Sequence, residues 1–271
     1  MTRLIWISFC FFLLTGCSIL KEIDKTKDWS QKKLFTEATY ELKGGDYEKA
    51  IDYYEKLESR YPFGKYVHQA QLNTAYAYYR SGLPKEALAA ADRFIKFHPD
   101  HPAIAYVYYL RGLINQNSAQ GLFNRFIPTD NSQRDIGATK DSYKDFAMVV
   151  NKFPDTEYAE DARKRMLYLR NNLARHEIHV ARFYIKRGAY IAAANRASYV
   201  VTNYQRTPAI RDALNIMIES YSKLGMKDLE KDARRVLALN QKNRSLIDDP
   251  LKVGNDSLSE NIWKFFGLDE N

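Results

Sequence analysis

Gly45-Asp46-Tyr47-Glu48-Lys49-Ala50 is a stretch that this chain repeats, with small changes, at a fixed distance. Thirty-seven residues later stands Gly82-Leu83-Pro84-Lys85-Glu86-Ala87. The same offset separates Gly188-Ala189-Tyr190-Ile191-Ala192-Ala193 from Gly225-Met226-Lys227-Asp228-Leu229-Glu230. A period of this size is the signature of a repeat architecture, in which each repeat forms one unit of supersecondary structure.

Each unit is predicted to be a pair of antiparallel helices. The glycine ends the first helix, where a left-handed backbone is needed. A small residue then lets the second helix approach the first, and a proline stops the second helix. The small residues are Ala50, Ala87 and Ala193, and the closing dipeptides are Tyr61-Pro62, His98-Pro99 and Phe153-Pro154.

Apolar residues recur every three or four positions in these segments, as on one face of an amphipathic helix. In the first unit they are Leu34, Ala38, Leu42, Ala50, Ile51, Tyr54 and Leu57. No segment of the sequence alternates in the way that is typical of strands. Because one hairpin cannot bury its own apolar face, neighbours must stack on each other. The sequence therefore predicts an all-α fold, a right-handed solenoid of about five helical hairpins.

The glycine, the aromatic residue after it, the small residue and the closing proline resemble the tetratricopeptide repeat over roughly residues 29–240. The predicted helix pairs are 29–44 with 47–60, 66–81 with 84–97, 102–117 with 134–152, 156–187 with 190–204, and 207–224 with 226–240. Gln205 replaces the fourth closing proline, Glu230 replaces the fifth small residue, and an insertion at 118–133 interrupts the third unit. We assign 29–155 to N-terminal repeats 1–3, 156–240 to C-terminal repeats 4–5, and 241–271 to a polar tail with a short amphipathic terminal helix.

The N-terminus has the parts of a bacterial lipoprotein signal. A basic Arg3 precedes an apolar stretch over residues 4–13, and small Thr15 and Gly16 precede Cys17. The stretch is shorter than the ~20 apolar residues that span a bilayer. We expect cleavage of residues 1–16, a diacylglycerol on the sulfur of Cys17, a palmitoyl chain on its amine, and a lipidated tether over 17–28. The alternative is an ordinary signal peptide or membrane anchor in which the cysteine is incidental.

Composition limits how the chain is stabilised and what it binds. The mature chain would keep one cysteine, which the lipid consumes, so the fold must rest on apolar burial without an intramolecular disulfide. The formal net charge is +8, and the basic and acidic residues are interspersed along the sequence. Such an excess fits anionic lipids, acidic protein surfaces or nucleic acid, and does not choose among them.

Catalytic and metal motifs are incomplete in this sequence. His176-Glu177-Ile178-His179 is one residue short of the His-Glu-x-x-His zinc motif and has no further histidine or cysteine ligand nearby. His98 and His101 flank a turn between repeats and are interpreted as turn residues. There is no phosphate-binding glycine loop or nucleophile elbow. We expect no catalytic residue, no metal and no cofactor apart from the covalent lipid.

Longer segments resemble the BamD family of outer-membrane protein assembly factors. They are Arg60-Tyr61-Pro62-Phe63-Gly64 and residues 71–79, 106–113, 120–135 and 187–196. The resemblance implies a non-catalytic lipoprotein subunit of the β-barrel assembly (Bam) complex, anchored by lipid in the outer membrane and facing the periplasm. As partners it implies the periplasmic domains of the barrel subunit BamA, other Bam lipoproteins and unfolded outer-membrane protein clients, with nucleic acid unlikely. Ser18, by resemblance to bacterial lipoproteins generally, also favours export to the outer membrane.

Client binding would fall on the N-terminal repeats. First helices line the concave side of a helical-repeat solenoid, tyrosine offers contact area with few torsions to freeze, and Arg60 or Arg80 could pair with a client carboxylate. The predicted client groove consists of Arg60, Phe63, Tyr66, Gln71 and Tyr78. For Tyr76, Tyr79, Tyr106 and Tyr109, the helical spacing favours the core over the groove.

By the same resemblance, Arg196 is the residue that docks on BamA, through a charge-assisted contact with an acidic patch. The alternative is a surface arginine that pairs within its own helix. Apolar residues of the insertion are expected to pack onto the solenoid, and apolar residues near the C-terminus to dock on a partner, a membrane or the protein itself. The first group is Phe123, Phe126, Ile127 and Pro128, and the second is Ile262, Trp263, Phe265 and Phe266.

A second functional hypothesis follows from the basic excess. The chain would then be a competence-related or cell-wall-associated lipoprotein that binds DNA or peptidoglycan. Its affinity would fall steeply as salt rises, because phosphate contacts release counterions.

Overall fold

The computed structural model describes residues 24–120 and 136–242, and over these ranges the only regular elements are ten α-helices. Every helix packs against the next one in the chain. This confirms the prediction of an all-α array of helical hairpins. The helices are α1 (Gln31–Gly44), α2 (Tyr47–Arg60), α3 (Val67–Arg80), α4 (Pro84–Phe97), α5 (Ile104–Gln120), α6 (Gly137–Lys152), α7 (Glu157–Lys186), α8 (Tyr190–Asn203), α9 (Ala209–Lys223) and α10 (Lys227–Lys242).

The turns inside the hairpins form where the sequence places glycine. Four glycines follow the first helices of their pairs with positive φ, between 71° and 84°, a conformation that costs glycine nothing because it has no Cβ. Side-chain caps fix the starts of the first two helices, since Ser30 accepts a hydrogen bond from the Lys33 N–H and Asp46 accepts one from the Lys49 N–H. The four glycines are Gly45, Gly82, Gly188 and Gly225.

The fourth unit ends without a proline, and its closing turn has a strained backbone instead. Where Gln205 replaces the expected proline, the chain turns through Arg206, whose φ is 62°. A non-glycine residue in this left-handed region is disfavoured by about 1–2 kcal/mol. The array is therefore continuous here at the expense of local backbone strain.

Several boundaries and segments differ from or lie beyond the sequence prediction. Helix α5 continues to Gln120, three residues past the predicted end, and α6 begins at Gly137 rather than at residue 134. Cys17, most of the insertion and the tail beyond residue 242 lie outside the described residues. Nothing in the part that is described is both long and apolar enough, within one helix, to cross a membrane.

The buried core consists of two clusters joined by one long helix. The first cluster extends from Leu34 to Leu169, and the second from Ala174 to Ile216. The division falls inside α7, which has 30 residues and is therefore about 45 Å long at 1.5 Å per residue. Helix α7 packs against α6 at one end and against α8 and α9 at the other. Small residues at 0% exposure, such as Ala50, Ala87 and Ala193, allow the close helix contacts.

Candidate functional site

The five side chains predicted to form a client groove lie in three separate places. Arg60, at the end of α2, is turned toward the N-terminal segment. One of its Nη atoms donates to the backbone carbonyl of Thr26, and the other contacts the Asp24 carboxylate and donates to Thr26 Oγ1 at 3.0 Å. Its guanidinium is thus occupied by the protein itself. A client carboxylate would have to displace these contacts.

Phe63 and Tyr66 lie at the turn between α2 and α3. The Phe63 ring is 100% exposed, the highest value among the large apolar residues that the structure describes as exposed. Tyr66 is half-buried, because its ring stacks on Phe35 of α1 with centroids 4.7 Å apart. Lys65 Nζ lies 4.7 Å from the Tyr66 ring centroid. This turn therefore presents one fully exposed ring, Phe63, and a second ring, Tyr66, that Phe35 and Lys65 partly cover.

Gln71 and Tyr78 lie about two turns apart on α3, and each contacts a glutamate of α2. Gln71 Nε2 donates to Glu58 Oε1 at 2.8 Å, and its Oε1 lies 3.1 Å from His98 Nε2. The Tyr78 hydroxyl donates to Glu55 of α2. Burial and this carboxylate raise the pKa of Tyr78 to about 12, so its hydroxyl stays protonated at neutral pH. The result is a polar network that links the first two repeats.

Of the tyrosines whose spacing favours the core, three are confirmed as core residues. Tyr76, Tyr106 and Tyr109 are at most 3% exposed, whereas Tyr79 is half-buried. The Tyr76 hydroxyl accepts from Arg80 Nη1 and the Tyr109 hydroxyl donates to Asp161 Oδ2, both at 2.7 Å. These rings stabilise the junctions between repeats and do not form an open aromatic wall.

Arg196 lies on α8 and forms an ion pair with a residue of α7. Its Nη1 donates to Glu177 Oε2 at 3.1 Å. The arginine side chain is 48% exposed and the glutamate side chain only 7%. The pairing is between two helices, not within one as the alternative interpretation had it. One edge of the guanidinium thus meets a buried carboxylate, and the half-exposed remainder of the group faces outward.

Apolar side chains flank this arginine on the same helix. Ile191 and Tyr199 are exposed at 60% and 46% and lie two turns apart on α8. Tyr204, which closes α8, packs edge-on against Tyr199 with centroids 5.9 Å apart. Burial, Tyr199 and the charge of Glu177 raise the pKa of Tyr204 to about 12. Arg196 and Tyr199, three residues apart on α8, thus place a cation beside exposed apolar area, a composition typical of a protein interface.

The structure contains a buried ionic network between α5 and α6 that the sequence did not predict. Arg111 Nε donates to Asp145 Oδ1 at 2.9 Å, and Asn115 Nδ2 donates to Asp145 Oδ2 at 3.0 Å. Asp145 is 3% exposed, and its burial raises its pKa despite the adjacent guanidinium. The partners are 30 and 34 residues apart in the chain, so no local pattern reveals them. The network fixes the register of the third hairpin.

Histidines gather where α4 ends but do not form a metal site. The His98 ring centroid lies 4.2 Å from that of His68 and 6.4 Å from that of His101. Burial and the neighbouring rings lower the pKa of both His98 and His101. Within residues 24–120 and 136–242, no group of three or more histidine, cysteine, aspartate or glutamate side chains could hold a metal ion. Glu177, in the short His-Glu motif, is the partner of Arg196 instead.

Comparison with known proteins identifies relatives over most of the chain. Residues 27–237 match the model of the YfiO family, described as outer membrane lipoprotein. An outer membrane protein assembly factor BamD from Neisseria meningitidis serogroup A is 45% identical, over 84% of this chain and 86% of that protein. The proteins of the same name from Xylella fastidiosa and Vibrio cholerae serotype O1 are 38% and 36% identical, over 78% and 94% of their lengths.

One solved structure also overlaps with the chain. It is a tetratricopeptide repeat protein from Parabacteroides merdae, and the match covers 88% of this chain and 98% of that one. The sequence identity is 13% and the TM-score is 0.30, which is too low to bear on the fold.

Proposed function

This chain belongs to the outer membrane lipoprotein family of BamD-type assembly factors, and from that premise we propose that it is a lipid-anchored, non-catalytic scaffold of the Bam complex. It docks on BamA through its C-terminal repeats and receives unfolded outer-membrane protein clients at its N-terminal repeats. The observation that carries the proposal is the similarity to outer membrane protein assembly factors over most of both chains. Depletion of the protein is expected to leave unfolded outer-membrane proteins in the periplasm. Normal barrel assembly after its complete removal would contradict the proposal.

Lipid on Cys17 supplies the anchor, with the body facing the periplasm. Each buried methylene adds about 0.8 kcal/mol of membrane affinity, so several acyl chains hold the protein stably. Metabolic labelling with palmitate should mark the wild type and not Cys17→Ser. An unlabelled wild-type protein would exclude the anchor. The scaffold works without a bound cofactor or metal, since docking and client capture need only contacts between protein surfaces.

Arg196 is proposed as the docking residue because one edge of its guanidinium remains available for an acidic group of BamA. A planar guanidinium can hold Glu177 with one edge and a second carboxylate with another, which an ammonium group cannot do equally well. Arg196→Ala should lower co-purification of BamA, and Arg196→Lys should restore it only in part. Arg182 is the matched control, since it is 51% exposed and pairs with Asp212 at 2.9 Å across helices. Equal loss in Arg182→Ala and Arg196→Ala would contradict the assignment.

Phe63 is proposed as the main client contact, with Tyr66, Gln71 and Tyr78 beside it. A fully exposed ring contributes nothing to the fold, so its removal should weaken client binding and leave stability unchanged. Phe63→Ala should reduce the affinity for a peptide that ends in an aromatic residue by roughly 10-fold or more, as for an interface anchor. Phe97→Ala, which removes another exposed ring at 65%, is the control. Equal client affinity of Phe63→Ala and Phe97→Ala would show that Phe63 is not part of the client-binding surface.

The competence or cell-wall hypothesis is not favoured, since the relatives are named as assembly factors. The salt dependence of binding distinguishes this hypothesis from the assembly scaffold. Binding to DNA or peptidoglycan would weaken steeply between low and high salt. We expect no such binding at physiological salt.

A further inference from the structure

The segment that precedes α1 is bound to the end of α2. Besides the Arg60 contacts to Asp24 and Thr26, Lys56 Nζ lies 3.8 Å from Asp24 Oδ1. The Tyr61 hydroxyl donates to the backbone carbonyl of Trp29 at 3.0 Å. We call this set of contacts the N-terminal clamp: Asp24, Thr26 and Trp29 on one side, Lys56, Arg60 and Tyr61 on the other.

Burial shows that the clamp is a packed contact and not a chance ion pair. Thr26 is only 3% exposed although it lies between two exposed lysines. Its N–H and hydroxyl both donate to Asp24 Oδ1, at 2.9 and 2.6 Å, which folds the segment into a turn. The Trp29 ring packs edge-on against Tyr53 of α2, with centroids 5.4 Å apart. Residues 24–29 are thus part of the folded body, although the sequence pattern assigned 24–28 to the tether.

The clamp shortens the length of chain that can separate the lipid from the folded body. From Cys17 to Asp24 there are seven residue steps, and from Cys17 to the start of α1 at Gln31 there are fourteen. Fully extended chain spans at most ~3.5 Å per residue, so the limits are about 25 Å with the clamp closed and about 50 Å with it open.

We infer that the N-terminal clamp sets the length of the lipid tether and holds Asp24, which contacts the end of α2 close to the client-facing turn at Phe63, within about 25 Å of the lipidated Cys17. This inference rests on the proposed lipidation of Cys17. Arg60 is then a positioning residue that acts through the N-terminal segment and does not bind the client. An opened clamp would let the body move about twice as far from the bilayer without any change in the solenoid.

Trypsin tests the closed clamp directly, in the full-length lipidated protein on liposomes. Lys25 lies inside the clamp and Lys21 outside it, so the ratio of cleavage after the two lysines, read by mass spectrometry, is an internal measure. Arg60→Leu should raise the rate after Lys25 by roughly 10-fold relative to Lys21, because a bound segment must open before it is cut. Asp24→Asn, which cannot disturb the solenoid, should raise it in the same direction. Arg234→Leu, which removes an exposed pair with Glu230 at the far end, should leave it unchanged.

Energy transfer measures the distance itself. A donor dye on Lys32→Cys, an exposed position of α1, is paired with an acceptor lipid in the same liposomes. Arg60→Leu should lower the transfer efficiency, and so should seven glycine and serine residues inserted between residues 23 and 24 with the clamp intact. The insertion should not change cleavage after Lys25.

The outcomes separate the inference from the function on which it rests. Protein that does not float with liposomes before digestion shows that the lipid anchor is wrong. Anchored protein in which Lys25 is cut as fast as Lys21 shows that there is no clamp. Faster cleavage in Arg60→Leu with unchanged energy transfer shows that the clamp exists but does not set the distance, and this also overturns the inference.

Discussion

Gly112→Ala tests the packing between α5 and α6, where a glycine lets the two helices approach closely. A Cβ on Gly112 would lie 2.7, 2.9 and 3.0 Å from three carbon atoms of the Phe146 ring, where ordinary contacts are about 3.5–4.0 Å. Phe146 is 0% exposed, so its ring cannot move away into solvent. The Gly112 carbonyl also accepts a hydrogen bond of 2.8 Å from buried Ser142 Oγ.

The magnitude follows from three contributions. Overpacking a well-packed core costs about 1–3 kcal/mol, and straining the Ser142 hydrogen bond costs about 1 kcal/mol. Replacing glycine by alanine inside a helix returns about 1 kcal/mol. We therefore expect Gly112→Ala to lower the free energy of unfolding by about 2 kcal/mol, which lowers Tm by about 4–8 °C in a domain of this size.

Thermal unfolding of the detergent-solubilised protein, followed by circular dichroism, measures this shift. Gly44→Ala is the matched control, because Gly44 is the last residue of α1 and nothing lies within 4 Å of the point that a Cβ would occupy there. That variant should melt at or slightly above the wild-type temperature. Phe146→Leu should recover part of the loss in the Gly112→Ala background, as neighbours that clash are coupled. If Gly112→Ala and Gly44→Ala melt together, overpacking against Phe146 is refuted.

Three further variants test local features of the fold. Arg206→Gly should stabilise the protein by about 1 kcal/mol, because it removes the cost of a left-handed backbone at φ 62°, and a Tm below that of the wild type would contradict this. Asp145→Ala should cost about 1–3 kcal/mol, measured as a lower urea midpoint, because it leaves half-buried Arg111 with Asp92 alone and removes the acceptor of buried Asn115 Nδ2. His98 and His101 have pKa values below 6.5 in the folded state, so the unfolded chain binds more protons and stability should fall as pH drops below about 6.5. Replacing both histidines by glutamine should flatten that decline, and an unchanged pH profile of Tm would show that their burial does not matter.

The hairpins were predictable because each depends on residues that are adjacent in the sequence. A glycine such as Gly82 at the turn, the small Ala87 after it and the apolar period of α1 act within a few residues of one another. The turn at Arg206 was not predictable, because nothing local marks a residue that accepts a strained φ when the proline is absent. The end of α5 at Gln120 and the start of α6 at Gly137 each differ by three residues from the predicted bounds, because helix ends are set less sharply by local sequence than helix interiors.

The exposure of Phe63 could be predicted from the sequence, but the partners of the charged residues could not. Phe63 stands out from its motif, and the structure leaves its ring open. Arg60 is equally conspicuous, but its partner Asp24 lies 36 residues away, and no periodic pattern predicts such a pairing. The same holds for Arg196 and Glu177, which are 19 residues apart on different helices. Surface charge in a sequence indicates the presence of a cation and not the direction in which it points.

Helix α7 has a mechanical consequence for the whole molecule. Because one continuous rod of 30 residues belongs to both apolar clusters, the two halves cannot swivel independently without bending it. A force applied to α8 would therefore be transmitted through α7 to the first apolar cluster. The repeats on either side of α7 therefore keep a fixed orientation relative to each other.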